Sequence, residues 1–526
     1  MTPALAPQNP LNHVASVIDR HQADLKKPGV INVQPGYKME NDWPTKQPAI
    51  VVIKSQGAAD IALPSAIEGI PVDVREATPV EELRHSDPAR FAKLASNHAE
   101  LATGAFEDIL SGTEEEAPVE AEAEAAKPQL AYTPAAKPLT AVSGALSFVC
   151  HASPDAGWPT LKKFLAQTHS TLTIGLYDFT SKHILDSVET ALASGQKLEI
   201  TLDNPSLNPT ADQSDSDTLK TLGADLGEEF RAAWALVRSN KDVSQWIFPT
   251  AYHIKVAVQD SKSLWLSSGN WNNSNQPDMD PIGHPQPTDQ ATAKKSDRDW
   301  HVIINNKDLA GQFESYLKHD NEVAQTIAPA GPGTLALEPP ALMPADFQPA
   351  AAPVAWKFFA PLVLENEETT ITPLLTPDAG VYQPAMLALI ESATAKLFIQ
   401  LQYIHPSDKP EDADFEALIS AVAKKIQDGV DVRIITSQFQ TSGGWLDRLQ
   451  AAGIDLAHVK IQNGVHNKGF VVDSKRVALG SQNWSGDGVL RNRDASVIID
   501  NAKAAAYYEQ IFLHDWNNVA KQSVHP

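Results

Sequence analysis

One short pattern occurs twice in this chain. Its second copy runs His466-Asn467-Lys468-Gly469-Phe470-Val471-Val472-Asp473 and then Gly480-Ser481-Gln482-Asn483. Its first runs His253-Ile254-Lys255-Val256-Ala257-Val258-Gln259-Asp260 and then Ser267-Ser268-Gly269-Asn270. His, Lys, Asp and Asn recur at the same relative positions, each time in an apolar, strand-like setting. The first copy is worn: Ser267 stands where the second has Gly480, and Gly269 where it has Gln482.

The surroundings repeat as well. Ser153-Pro154-Asp155-Ala156-Gly157 matches Thr376-Pro377-Asp378-Ala379-Gly380, and Arg298-Asp299-x-x-Val302-Ile303-Ile304 matches Arg493-Asp494-x-x-Val497-Ile498-Ile499. Between them each half reads as a helix (161–168 or 385–392), a strand (172–177 or 397–403), another helix, and a second strand (198–203 or 430–435). A unit repeated in one order is folded twice, and strands alternating with helices form α/β layers. The expectation is two similar α/β/α sandwich halves, 144–327 and 356–526, forming a pseudo-dimer within one chain. The Pro/Ala-rich stretch 328–355 between them reads as an extended crossover.

A small α+β N-terminal module is expected over 1–110. Pro48–Ile53 is an apolar run of buried-strand type, and Ile67–Val74 alternates like a strand with one wet face. Thr78-Pro79-Val80-Glu81-Glu82 carries an N-cap threonine, a proline at the first helical position and acids in the first turn. Residues 111–143 are Glu-, Ala- and Pro-rich, too poor in apolar side chains to offset chain entropy, and read as a disordered linker. The net charge of −23 opposes binding to nucleic acid or an anionic membrane through charge alone. The single cysteine, Cys150, excludes a disulfide within the chain and reads as a buried apolar filler. With no signal-peptide run and no long apolar span, a cytoplasmic protein is expected.

On an extended strand, residues two apart share a face. His253 then points with Lys255, and His466 with Lys468, while Ile254, Val256 and Val258 face a core. Two such halves meeting would place two imidazoles and two ammonium groups around one cleft. That set suits a phosphodiester: one neutral histidine attacks phosphorus, one protonated histidine donates to the leaving oxygen, and lysines with Asn270 and Asn483 hold the non-bridging oxygens. These groups neutralise charge as a divalent cation does elsewhere, so neither a metal nor a cofactor is expected. No zinc pattern, nucleotide loop or serine-nucleophile elbow is present. An isolated His-x-Lys on a strand is ordinarily a solvated face; the matched repeats argue otherwise.

The doubled H-x-K-x4-D resembles the signature of the phospholipase D superfamily, over about 144–518. The resemblance implies a metal-independent phosphodiesterase or transphosphatidylase working through a phosphohistidine, with the first histidine often the nucleophile and the other the general acid. It carries the phosphate-holding role to Lys255, Lys468, Asn270 and Asn483, and a histidine-orienting role to Asp299 and Asp494. Asp260 and Asp473 complete the motif and read as structural; Ser268 and Ser481 read as turn residues or phosphate contacts. The expected partner is a phospholipid, with single-stranded nucleic acid as the alternative and a catalytically dead binding protein as the third reading.

Overall fold

The structure, a computed structural model, describes residues 10–40, 43–55, 58, 61–77, 85, 138–203, 212–238, 244–248, 251–325, 356–378, 380–441 and 444–521. The first helical turn read at Thr78–Glu82, most of the linker and the crossover lie outside the described residues. The front module comprises α1 (Pro10–Arg20), α2 (Gln22–Leu25), β1 (Val30–Glu40), β2 (Trp43–Lys54), β3 (Ala66–Ile67) and β4 (Ile70–Glu76). Val14, Val17 and Ile18 of α1 pack on Ile50 and Val52 of β2. The alternating run read as one strand is broken at Glu68 and Gly69, both with positive φ, into a β3–β4 hairpin. Glu-Gly tolerates that turn because glycine has no Cβ to clash.

The first half contributes β5 (Val142–Ser153), α3 (Gly157–Ala166), β6 (Thr171–Leu176), α4 (Lys182–Leu192), β7 (Lys197–Leu202), α5 (Asp215–Leu226), β8 (Phe230–Trp234), the ribbon β9–β10 (Leu236–Arg238, Ser244–Trp246), β11 (Val256–Gln259), β12 (Ser263–Ser267), α6 (Asp289–Lys295), β13 (Asp299–Asn305) and α7 (Lys307–Gln325). The second contributes β14 (Leu362–Thr376), α8 (Tyr382–Glu391), β15 (Lys396–Leu401), α9 (Ala413–Gln427), β16 (Asp431–Thr436), α10 (Trp445–Ala451), β17 (Val459–Ile461), β18 (Lys468–Val472), β19 (Arg476–Gly480), α11 (Gly486–Leu490), β20 (Asp494–Asp500) and α12 (Ala502–His514). The two orders correspond, and the fold is the expected α/β pseudo-dimer.

One sheet of 14 strands runs through both halves in the order β17-β16-β15-β18-β19-β20-β14-β5-β13-β12-β11-β6-β7-β8. The halves join where β14 pairs antiparallel with both β5 and β20. Both faces of the sheet are covered, so its strands are apolar on both sides rather than alternating. On β13, Trp300, Val302 and Ile304 enter a core shared with the other half, while Ile303 meets α3 and α4 on the outer side. The shared core holds Leu309, Phe313 and Leu317 of α7 together with Tyr508, Ile511 and Phe512 of α12. Tyr508 Oη donates to the His301 carbonyl of the opposite half at 2.5 Å. A continuous apolar core across the junction fixes the halves in register, because shifting one would expose apolar area at roughly 25 cal/mol per Å2.

Candidate active site

Two short bridges stitch the halves together above that core. Arg298 pairs in parallel with Val465, and Tyr252 with Arg493. The Arg298 N–H donates to Gly464 O at 2.6 Å and the His466 N–H donates back to Arg298 O at 3.1 Å; in the mirror seam the Arg493 N–H donates to Ala251 O at 2.8 Å. Gly464 is needed here: its φ is +68°, and a Cβ would lie 2.9 Å from Ser296 O. Each seam sets the Arg-Asp phrase of one half beside the histidine of the other.

The consequence is a crossed pair. His466 Nδ1 lies 3.0 Å from Asp299 of the first half, and His253 Nδ1 lies 2.9 Å from Asp494 of the second. Ser268 Oγ donates to Asp299 Oδ1 at 2.7 Å and Ser481 Oγ to Asp494 Oδ1 at 2.5 Å. Those serines therefore back the carboxylates; their hydroxyls are committed to Asp299 and Asp494 rather than reserved for phosphate. A carboxylate accepting from Nδ1–H selects the tautomer that leaves Nε2 with a lone pair.

His253 and His466 sit in extended segments just before β11 and β18, not within the ladders, yet the two-residue periodicity holds. Lys255 Nζ donates to His253 O at 2.6 Å and Lys468 Nζ to His466 O at 2.6 Å, while Ile254 turns into the shared core. Lys468 Nζ also lies 3.3 Å from His466 Nε2. Tyr177 packs edge-on against His253 at 5.1 Å and lies under Lys255. It is one register short of Tyr403: Gly175 pairs with Val256 and Gln400 with the equivalent Gly469, so Tyr177 matches Gln402. Tyr403 instead stacks on His405, which stacks on Trp445.

The two histidines and the two carboxylates are all buried, and burial is the largest influence on their protonation. His253 is pushed well below the usual histidine range by burial and by Lys255, Lys468 and His466. Burial and Lys468 push His466 down to about 4, against the pull of Asp299. Burial works to raise Asp299, but His466, His301 and Lys468 outweigh it and hold the carboxyl at about 2. Asp494 is pushed up to about 6 by burial, which Lys255 and Ser481 only partly oppose. An anionic ligand would offset the lysines and restore a proton to one imidazole.

Asn270 is 1% exposed, and neither its Oδ1 nor its Nδ2 has a hydrogen-bond partner; Asn483 Oδ1 likewise has none. Buried amides left open in this way fit an absent hydrogen-bonding ligand. The Asn270 N–H is fixed by Asn275 Oδ1 at 2.9 Å. Asp260 and Asp473 are far from this chemistry. Each sits at positive φ in the hairpin turn and accepts from backbone N–H groups, of His169, Ser170 and Thr171 or of Thr394, Ala395 and Lys396.

Three further groups shape the junction. Arg298 and Arg493 are fully buried and clamp acids of both halves. Arg298 pairs with Asp155 at 2.7 Å and with Asp515 of the other half at 2.9 Å; Arg493 pairs with Asp378 at 2.8 Å and with Asp320 of the other half at 2.7 Å. The repeated Pro-Asp-Ala-Gly and Arg-Asp phrases are thus partners, a relation that only their joint duplication hinted at. The third is His301, at the position of Ser496. Its Nδ1 meets Ser267 Oγ at 2.6 Å and its Nε2 meets Ser153 Oγ at 2.8 Å. Ser267 Oγ in turn holds the Gly269 N–H at 2.7 Å, beside Asn270. In the second half a Cβ on Gly480 would lie 1.8 Å from Ser496 Oγ and 2.3 Å from Ala495 O. The worn Gly-to-Ser position is therefore a matched exchange, Ser267 with His301 against Gly480 with Ser496. Trp271 and Trp484 pack beneath the turns against Phe179 and Phe470, and Cys150 is a buried free thiol pushed up to about 12 by burial.

A fold of two like halves with a crossed His–Asp pair at their junction defines the class. The chain matches the family described as cardiolipin synthase, phospholipase D-like domain, over residues 161–321 and 386–516, and it belongs to the phospholipase D superfamily. It is 30% identical over 111 residues to a phospholipase D of Rickettsia bellii, covering 21% of this chain and 54% of that protein. It is 33% identical over 90 residues to a mitochondrial cardiolipin hydrolase of Xenopus tropicalis, covering 17% of this chain and 43% of that protein. The matches thus span about half the length of these curated relatives. Among solved structures, the phosphatidylserine synthase of Haemophilus influenzae aligns over 72% of this chain and 90% of its own, with 13% identity and a TM-score of 0.45. Among the described residues no helix is long and apolar enough to cross a membrane.

Proposed function

We propose that this chain is a phospholipase D-type phosphodiesterase that releases or exchanges a phospholipid head group through a phosphohistidine. The observation that carries the reading is the crossed pair: two buried imidazoles, each locked at Nδ1 by a carboxylate of the opposite half, with two lysines and two open amides beside them. The curated relatives named for phospholipid cleavage support a lipid substrate.

The halves are unequal in charge. A carboxylate that stays ionised favours an imidazolium beside it, so Asp299 suits His466 to carry the proton. Asp494 leans toward neutrality, and His253, between two lysines, stays unprotonated and nucleophilic. His253 Nε2 attacks phosphorus as the bond to the head-group oxygen breaks, and that oxygen takes the proton from His466 Nε2. Water or an alcohol then gives its proton to His466, its oxygen attacks phosphorus, and His253 leaves. Lys255, Lys468, Asn270 and Asn483 hold the non-bridging oxygens while charge shifts.

The test is to offer the purified protein phosphatidylcholine, phosphatidylethanolamine and single-stranded DNA with excess chelator. Head-group release is expected. DNA cleavage alone would move the activity to nucleic acid, and no turnover of any substrate would leave a binding protein.

A further inference from the structure

The two seams match in backbone and differ in charge. Where one carries Asp297, just before Arg298, the other carries Asn492, just before Arg493. Asn492 donates its amide to Asp494 and so serves the adjacent carboxylate. Asp297, with like charge to Asp299, has a different set of neighbours. Its Oδ2 accepts from Asn275 Nδ2 at 2.9 Å, and its Oδ1 lies against Gly464, 3.6 Å from where a Cβ would stand. The second half has no counterpart of Asn275; Gly488 occupies that position.

Asp297 is half-buried, whereas His466, Lys468 and Asp299 around it are closed off. The His466 side thus carries a second, less closed carboxyl beside Asp299. It is also tied to the phosphate-holding end: Asp297 fixes Asn275, and Asn275 fixes the backbone of Asn270, whose own amide is open. Burial and the neighbouring Asp299 raise its proton affinity, which would be relieved by a ligand cation. Asp297 lies within charge range of Asp299, the partner of His466, and of Lys468, so a cationic group leaving from the His466 side would feel it.

We propose that Asp297 is the specificity-determining residue for the departing head group, a carboxylate that receives the ammonium of a short amino alcohol esterified to the phosphate. The proposal rests on the reading above in that it places the leaving oxygen beside His466. It favours cationic head groups of the ethanolamine type over neutral polyols such as glycerol. The asymmetry supplies the selectivity, since the same position in the other seam is an uncharged amide.

Binding of two soluble diesters, glycerophosphoethanolamine and glycerophosphoglycerol, to the full-length His253→Asn protein tests this without turnover. By calorimetry the ammonium diester should bind roughly tenfold more tightly, as expected for a charge pair in a partly desolvated site. In the added presence of Asp297→Asn the ratio should fall to near one. Asparagine is the residue the second seam already accommodates, so the change suits the fold, and circular dichroism checks it. A ratio near one at the outset, failure of the ammonium diester to bind, or a preference that survives Asp297→Asn overturns the proposal. The lipid reading is judged separately by head-group release from intact phospholipids.

Discussion

The crossing of the His–Asp pairs makes a prediction that few other arrangements would make. Replacing Asp299 by Asn removes a carboxylate 3.0 Å from His466 Nδ1 while leaving the side-chain shape and the Ser268 contact available. With charge centres about 4 Å apart and an effective dielectric near 20, the lost attraction for an imidazolium is roughly 4 kcal/mol. That corresponds to about a 10³-fold loss in any step that needs His466 protonated. The tautomer lock is lost with it, so a decline in turnover of about 10²–10⁴-fold is expected. Ring-nitrogen NMR distinguishes the sites. In Asp299→Asn the hydrogen-bonded Nδ1–H signal of His466 should weaken while that of His253 persists, and in Asp494→Asn the reverse should hold. The reasoning fails if Asp299→Asn disturbs His253, the histidine of its own half, or if both variants keep near-normal rates.

Other outcomes follow from the same geometry. His253→Asn or His466→Asn alone should each lower turnover by at least about 10²-fold, with chelator making no difference to the unsubstituted protein, as read by head-group release. His466 titrates near 4 when folded and near 6.5 when unfolded, so between those values the unfolded chain binds the extra proton. Its contribution to stability is thus complete above about pH 6.5 and declines as pH falls toward 4, by roughly 3 kcal/mol. Asp494, raised to about 6, works in the opposite sense between about 4 and 6. Denaturant titrations of the chain and of His466→Asn across this range should therefore differ in slope. Arg298→Met strands Asp155 and Asp515 in the core and should destabilise the fold by about 3–5 kcal/mol in chemical unfolding. Gly480→Ser should cost about 1–3 kcal/mol, and Ser496→Ala combined with it should recover only part, because the Ala495 carbonyl still crowds the new Cβ.

The duplicated sequence by itself determined a great deal. Matched phrases imposed two like halves, the two-residue period placed each histidine with its lysine and set Ile254 in a core, and Asn270 and Asn483 stood out by position alone. Hairpin strain at Asp260 and Asp473 was less visible, because it depends on backbone N–H groups from a distant turn. The one-residue offset between Tyr177 and Tyr403 was invisible, since strand register shows only in the ladder partners. What only the tertiary structure decided is which half supplies which group. Asp299 serves His466 and Asp494 serves His253 because the seams at Arg298 and Arg493 run between halves, 167 and 241 residues apart along the chain. The same holds for the Arg298 and Arg493 clamps, the exchange of Ser267 and His301 for Gly480 and Ser496, and the lone acid Asp297. Repetition specifies a unit, but the contacts between two copies arise only when their apolar faces close into one core, and no local pattern encodes that partner choice.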